Sequence, residues 1–280
     1  MIKGNIVALV TPFLDNGDID YDAVSRLCDM HLDNKADGLL LLGTTAEAES
    51  LSNEEKLQLV KYIINKVDNR IKIMVGLISN RINEILNLAK ELEGYNIDSY
   101  LVISPYYTKT NKTGLLKWYT YIADNVNRPI VIYNVPKRVG MEISSDIVCE
   151  LSHYDNIIGI KDASGNLSYY YDIKSKCNKD FLYYCGDDLS LLEFSLLGID
   201  GVISVISNMY PKAVDEILKG NHNAFYRIYS LLKVMYKEVS PIGIKYILYL
   251  NNLINLKYRI PLDIPSIENQ NEIKHALNNL

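Results

Sequence analysis

Apolar residues in this chain come mostly in short unbroken runs rather than in alternation with polar ones, and the runs recur at intervals that leave room for a helix between them. Such runs fall at 6–10, 38–42, 71–75, 100–103, 130–133, 157–161, 181–184 and 201–205, which makes eight candidate strands. A strand with one wet face would alternate, so continuous runs read as strands buried on both faces, the habit of parallel strands in α/β proteins. Between them lie stretches with helical spacing, among them 53–67, 83–92 and 115–125, and Ser52 and Glu55 are placed as a capping box for the first. Alternating β and α predicts a parallel sheet. Eight such repeats fit a (β/α)8 TIM barrel, which takes roughly 250 residues. The expected organisation is an α/β barrel over 1–210 that carries the site, with helices over 211–280 completing and extending it. Ser240 and Pro241 read as the N-cap and first-turn proline of one of those helices. An open doubly wound sheet competes with the barrel, but no Gly-x-Gly-x-x-Gly turn follows the first strand.

Composition narrows the partners. The 280 residues carry a formal net charge of −5 with no basic stripe, which argues against nucleic acid and anionic membrane as partners. Cys28, Cys149, Cys177 and Cys185 form no CxxC pair, and the start Met1-Ile2-Lys3-Gly4-Asn5 lacks the basic and apolar regions of a signal peptide, so a reduced cytoplasmic setting is expected. No apolar run approaches membrane-spanning length. His31, His153, His222 and His275 stand apart from one another and from carboxylates at ligand spacing. That leaves little from which to build a zinc site or a Ser-His-Asp triad, and no metal is expected. Carbonyl chemistry, if performed, falls to an amine.

One amine stands in a telling place. Lys161 closes the run Ile157-Ile158-Gly159-Ile160 and is followed by Asp162-Ala163-Ser164-Gly165-Asn166. At the carboxyl end of a buried strand an ammonium is partly desolvated, which disfavours its charged form, and an activated lysine typically makes a Schiff base with a carbonyl substrate. The plain alternative is a strand-end lysine reaching into solvent. A barrel sets its chemistry at the carboxyl ends of the strands. There the chain offers Thr11, Gly43-Thr44-Thr45, Tyr106-Tyr107, Tyr133, Lys161, Gly186-Asp187-Asp188 and Ile203-Ser204. Thr44 and Thr45 can offer hydroxyls and backbone N–H groups to a carboxylate. Tyr133 can relay a proton, since a phenol both donates and accepts, although a tyrosine at a strand end is more often packing in a chain with 22 of them. Arg138 is either a surface arginine or a fork for a substrate carboxylate.

Four segments, Gly43-Thr44-Thr45-Ala46-Glu47, Tyr133-Asn134-Val135-Pro136-Lys137-Arg138, Gly159-Ile160-Lys161-Asp162-Ala163-Ser164-Gly165-Asn166 and Gly201-Val202-Ile203-Ser204-Val205, come in order at barrel-compatible spacing. Together they resemble the dihydrodipicolinate synthase / N-acetylneuraminate lyase family over nearly the whole chain. The resemblance implies a class I aldolase in which Lys161 forms an imine with pyruvate, with no other cofactor, and the derived enamine attacks an aldehyde. It implies that Thr44, Tyr133 and Tyr107 form a proton relay, with Tyr107 lent by a neighbouring subunit of a homodimer or homotetramer. Thr45 then holds the pyruvate carboxylate, and the backbone of Gly186 and Ile203 lines the pocket. Arg138, two residues after the Tyr-Asn-Val-Pro proline, points to the synthase branch of lysine and diaminopimelate biosynthesis and to the carboxylate of aspartate semialdehyde. A sister lyase acting on sugar-derived aldehydes and a non-catalytic keto-acid binder are the alternatives.

The chain departs from the family pattern at several places. Ala46 stands where glycine is usual, which predicts strain if that turn needs φ > 0. Val139 replaces Thr or Ser, Leu77 and Ile78 replace smaller residues, and Gly243 replaces proline. These predict an intact pyruvate half and an altered aldehyde half. In lysine-inhibited relatives the inhibitor lies at a subunit interface. Asn80, Glu84 and Tyr106 match that region, whereas Glu49, Asn53 and Lys56 differ from it. Like-charge repulsion from Lys56, worth roughly 1 kcal/mol at contact distance in water, predicts weak inhibition by lysine, and Glu49 offsets part of it if it faces the cleft.

Overall fold

The eight runs are strands, and they close on themselves. The computed structural model describes residues 1–280. Strands β1 (Gly4–Ala8), β2 (Gly38–Leu41), β3 (Lys72–Leu77), β4 (Ser99–Ile103), β5 (Ile130–Asn134), β6 (Ile157–Asp162), β7 (Leu182–Cys185) and β8 (Gly201–Ser204) form one closed parallel barrel in sequence order. β1 and β8 are joined in the register Gly4↔Gly201 to Val7↔Ser204. Around the barrel run α1 (Tyr21–Asp33), α2 (Asn53–Val67), α3 (Ile82–Glu91), α4 (Lys112–Asp124), α5 (Pro136–Val139), α6 (Ser145–Leu151), α7 (Leu167–Lys176) and α8 (Leu191–Leu196), and beyond β8 come α9 (Pro211–Leu218), α10 (His222–Met235), α11 (Ile242–Leu250) and α12 (Ile267–Asn278). No helix is long and apolar enough to cross a membrane.

The continuous apolar runs follow from closure, because residues of opposite parity enter two different cores. Ile6 and Ala8, Leu40, Met74, Leu101 and Ile103, Val131 and Tyr133, Leu182 and Tyr184, and Ile203 fill the barrel interior. Their neighbours Val7, Leu39, Val75, Val102, Ile132, Ile160, Tyr183 and Val202 pack outward against the helices in the larger core. Full burial of such side chains is worth roughly 1.5–3 kcal/mol each.

Local signals set several element ends. The capping box on α2 is complete: Ser52 accepts from the Glu55 amide and Glu55 from the Ser52 amide. β1 begins and ends two residues earlier than the run at 6–10. The amide of Val10 is taken by Asn208 Oδ1 at 3.0 Å, while Asn208 Nδ2 donates to Ala8 O at 2.7 Å, so this one side chain ends the strand and fastens the closing seam. Asn5 reinforces the seam, accepting from Ser207 and donating to Pro211 O. The reading of Ser240 as an N-cap is corrected. Pro241 is the residue that precedes α11, no side chain caps the helix, and the Ser240 carbonyl instead accepts from Arg138 at 2.7 Å.

Candidate active site

Residue parity decides what meets a substrate at the carboxyl ends of β5 and β6. Tyr133 and Lys161 are register partners on these strands and point inward. Lys161 is 6% exposed and its Nζ lies 4.5 Å from the centroid of the Tyr133 ring. The lysine side chain runs across Gly186: a Cβ added there would come within 2.8 Å of Lys161 Cε and 3.1 Å of its Cγ. Glycine at the end of β7 therefore makes the lane the lysine occupies. Ile203 on β8 is buried in the same inner cluster.

The Thr44–Thr45 segment follows β2 as a 3₁₀ turn over Thr44–Ala46. Thr11 donates to Ala46 O at 2.7 Å and holds the turn against β1. The strain expected at Ala46 does not arise, because that residue sits within the turn, and the left-handed residues are its flanks, Leu42 (φ 54) and Glu47 (φ 53). A left-handed side-chain-bearing residue costs roughly 1–2 kcal/mol, and Glu47 is held there by partners. Its carboxylate pairs with the ammonium of Lys245, and both side chains are essentially without solvent contact. Its second oxygen accepts from the Arg259 amide at 3.1 Å. Lys245 Nζ also lies over the rings of Phe13 and Tyr258, at 4.4 and 4.8 Å. Burial pushes the Lys245 ammonium down to about 8 against the pull of Glu47. Arg259 extends the network, donating to Gly17 O, Ser50 O and the Glu55 carboxylate.

Above the strand ends opens a cavity of about 280 Å³ whose lining includes Thr44, Ile78, Tyr106, Arg138 and Val139. Lys161 and Tyr133 are buried and are not among its lining residues. Arg138, on the short helix α5, spends one guanidinium N–H on Ser240 O and keeps its other donors. Of the replacements at Ala46, Leu77, Ile78, Val139 and Gly243, only Ile78 and Val139 face this space, and Glu49 faces it as well. Leu77 points into the outer core. Gly243 serves packing: a Cβ there would lie 2.3 Å from Met235 O at the end of α10.

The remaining expected residues divide. Asp188 is fully buried and accepts from the amides of Val205 and Ile206 and from Tyr236, at 2.9, 2.8 and 2.7 Å, so it fastens β7 to the loop after β8. Asp187 bonds Ser190, and Ser204 Oγ accepts from the Ser207 amide. Tyr107 is not brought to Lys161. It stands 93% exposed in a left-handed conformation (φ 63) on the β4–α4 loop. That loop is clasped by Asn80, whose amide bonds the Tyr106 backbone in both directions, 2.7 and 2.9 Å. Glu49 does face the cleft and accepts from the Tyr106 phenol at 2.6 Å. Glu84 takes Ser79 and Arg81, which, with the nearby charge of Lys56, hold its carboxyl below the usual range. Asn53 is exposed at the start of α2.

A family model for the dihydrodipicolinate synthetase family matches residues 1–280. The chain is 34% identical over 285 residues to the 4-hydroxy-tetrahydrodipicolinate synthase of Laribacter hongkongensis, covering 99% of this chain and 98% of that one. It is 38% identical over 271 residues to the enzyme of the same name from Karelsulcia muelleri, covering 93% and 92%. Among solved structures, the chloride-inhibited dihydrodipicolinate synthase from Acinetobacter baumannii complexed with pyruvate superposes with a TM-score of 0.96 at 34% identity, covering 100% of this chain and 99% of that one.

Sequence reasoning missed the Lys245–Glu47 pair, though a signal was there: Lys245 interrupts the otherwise apolar run 242–248 in α11. Removing one partner of a buried pair leaves an uncompensated charge, at a cost of about 3–5 kcal/mol. Lys245→Met should lose about that much stability in urea unfolding, and adding Glu47→Gln should recover most of it. A single variant as stable as the parent would show that the pair does not hold the turn.

Proposed function

The chain belongs to the dihydrodipicolinate synthetase family, and we propose how its own residues divide the work of a 4-hydroxy-tetrahydrodipicolinate synthase. The enzyme is a lyase of the Schiff-base class I aldolase type, condensing pyruvate with L-aspartate 4-semialdehyde, and a lysine imine takes the place of an external cofactor. Lys161 Nζ adds to the ketone carbon of pyruvate, and the carbinolamine loses water to give the iminium. Loss of a C3 proton yields the enamine, whose C3 forms the new carbon–carbon bond to the aldehyde carbon while the aldehyde oxygen takes up a proton. The amine of the former semialdehyde then displaces Lys161 and closes the ring. The observation that carries this reading is the buried Lys161 beside the Tyr133 ring, in a lane left open by Gly186.

In this scheme Tyr133 passes protons at the carbinolamine and Thr44 links it to the next donor. Tyr107, exposed on its loop, reaches the site of a neighbouring subunit in a homodimer or homotetramer. Thr45 and the backbone of Gly186 and Ile203 hold pyruvate. Arg138, its free donors on the cavity, takes the semialdehyde carboxylate as a fork. The four cysteines are free thiols, in keeping with the cytoplasmic setting proposed for the enzyme.

Borohydride added with pyruvate should leave a reduced pyruvyl adduct on Lys161, and Lys161→Ala should lose both adduct and turnover. An adduct on another lysine would sink the assignment. Tyr133→Phe should keep the adduct site and slow turnover by about 10²–10⁴-fold. Arg138→Ala should raise KM for aspartate semialdehyde far more than KM for pyruvate. Equal effects on both would remove the fork. The Lys56 charge beside Glu84 supports weak inhibition by L-lysine, offset in part by Glu49, which faces the cleft; strong inhibition at micromolar concentration in a steady-state titration would overturn that.

A further inference from the structure

Immediately outside the barrel wall, one residue beyond each inward-facing partner, lies a second contact between the same two strands. Asn134 follows Tyr133 and Asp162 follows Lys161. Their side chains point outward, and Asn134 Nδ2 donates to Asp162 Oδ1 at 2.7 Å in a fully buried contact. The orientation of the amide is settled by its other end, since Asn134 Oδ1 accepts from the Ile143 amide at 3.1 Å. Asp162 is saturated: Oδ1 also accepts from the Ser164 amide at 3.2 Å, and Oδ2 accepts from Ser164 Oγ at 2.7 Å and from the Tyr183 phenol on β7 at 2.8 Å. The backbone repeats the stitching, with the Ala163 amide donating to Asn134 O at 2.9 Å and the Gly186 amide to Asp162 O at 2.7 Å. The outer side chains thus tie together the carboxyl ends of β5, β6 and β7.

We propose that Asn134 and Asp162 are positioning residues, whose hydrogen bond on the outer face of the wall sets Tyr133 and Lys161 against each other on the inner face. Residues of such a strand alternate sides, so a shift or twist of either strand end at 134 or 162 displaces the reacting group next to it. The choice of groups fits this role. Apolar side chains of similar size would fill the place without desolvating a carboxylate, but they carry no direction. No lysine or arginine pairs with Asp162. Its partners are neutral donors fixed to three different segments, and each fixes an angle as well as a distance.

The inference rests on the proposed roles of Lys161 and Tyr133, and its test separates the two. Asn134→Asp places two carboxylates face to face and breaks the bond. Asp162→Asn, added to it, lets the new amide donate to the new carboxylate and restores the bridge with reversed polarity, giving up only the longer Ser164 amide contact. Misplacement near 1 Å costs about 10²-fold in rate, so Asn134→Asp should lower kcat by about that factor. KM for pyruvate, whose carboxylate the Thr45 turn after β2 holds in the proposed scheme, should change less than kcat. The double variant should regain most of the lost kcat, and the rate of borohydride trapping should follow kcat. Loss from a general weakening of the fold would instead track the melting temperature and would not be repaired by the exchange. If Asn134→Asp does not fold, the double variant alone decides: native-like melting with near-parent kcat supports the bridge, and native-like melting with the low kcat overturns it. Parent-like turnover in Asn134→Asp overturns it as well. A wild-type enzyme that forms no pyruvyl adduct on Lys161 removes the underlying reading and this inference together; an adduct with an undisturbed Asn134→Asp variant removes the inference alone.

Discussion

Closure of the parallel sheet leaves no strand with a solvent face, and the rest of the site depends on that constraint. Every residue of β5 and β6 has to enter either the barrel interior or the helix layer. Consecutive residues at a strand end therefore carry opposite duties. Tyr133 and Lys161 take the interior, the side proposed to receive the substrate, while Asn134 and Asp162 take the outside, where three strand ends can be tied together. A helix could not divide labour this way between neighbours in sequence, because its period of 3.6 sets them about 100° apart rather than opposite.

Buried polarity is dealt with differently at each place it occurs. Asp188 and Asp162 are carboxylates without a cation: donors meet both oxygens of Asp162, while Asp188 takes three at Oδ2 and none at Oδ1. Burial raises both carboxyls and those donors pull them back. Glu47 and Lys245 neutralise one another, in a left-handed turn that an isolated glutamate would leave. Lys161 alone has no carboxylate within ion-pair distance, only an aromatic face and the lane over Gly186.

The fold was largely legible because the signals that carry it are local and redundant. Eight double-buried runs leave few alternatives, and the box at Ser52 and Glu55 sets the start of α2 to the residue. Lys161 was legible for the same reason: a charge ending an apolar run is anomalous. Lys245 has the same signature within a helix, yet its partner Glu47 lies 198 residues away, and no periodicity reports on a contact of that span. Asn134 and Asp162 were visible as letters of two motifs, but their bond depends on strand register, which runs of apolar residues do not encode. The strain expected at Ala46 was misplaced by one residue. The turn does contain a left-handed residue, and it is Glu47, whose stabilising partners come from the far end of the chain.

The two halves of the site differ in how they are built, and that difference bears on specificity. The proposed pyruvate half sits on strand ends of a closed barrel, where Tyr133 and Lys161 are register partners. The cavity proposed for the aldehyde is lined by Ile78, Arg138, Val139 and the segments around Pro241 and Pro261, remote in sequence and mostly in loops. Changes there can be absorbed without disturbing Lys161. Yet the changes present are not neutral toward chemistry, because Ile78 and Val139 turn part of the wall apolar. A hydroxyl of a sugar-derived aldehyde pressed against such a wall would lose water without gaining a partner, at about 1–3 kcal/mol for each group. In the proposed scheme a short aldehyde ending in a carboxylate meets Arg138 with its charged end and presents methylenes to the wall. Under the proposed reading, Ile78 and Val139 thus penalise polyol tails more than they penalise aspartate semialdehyde.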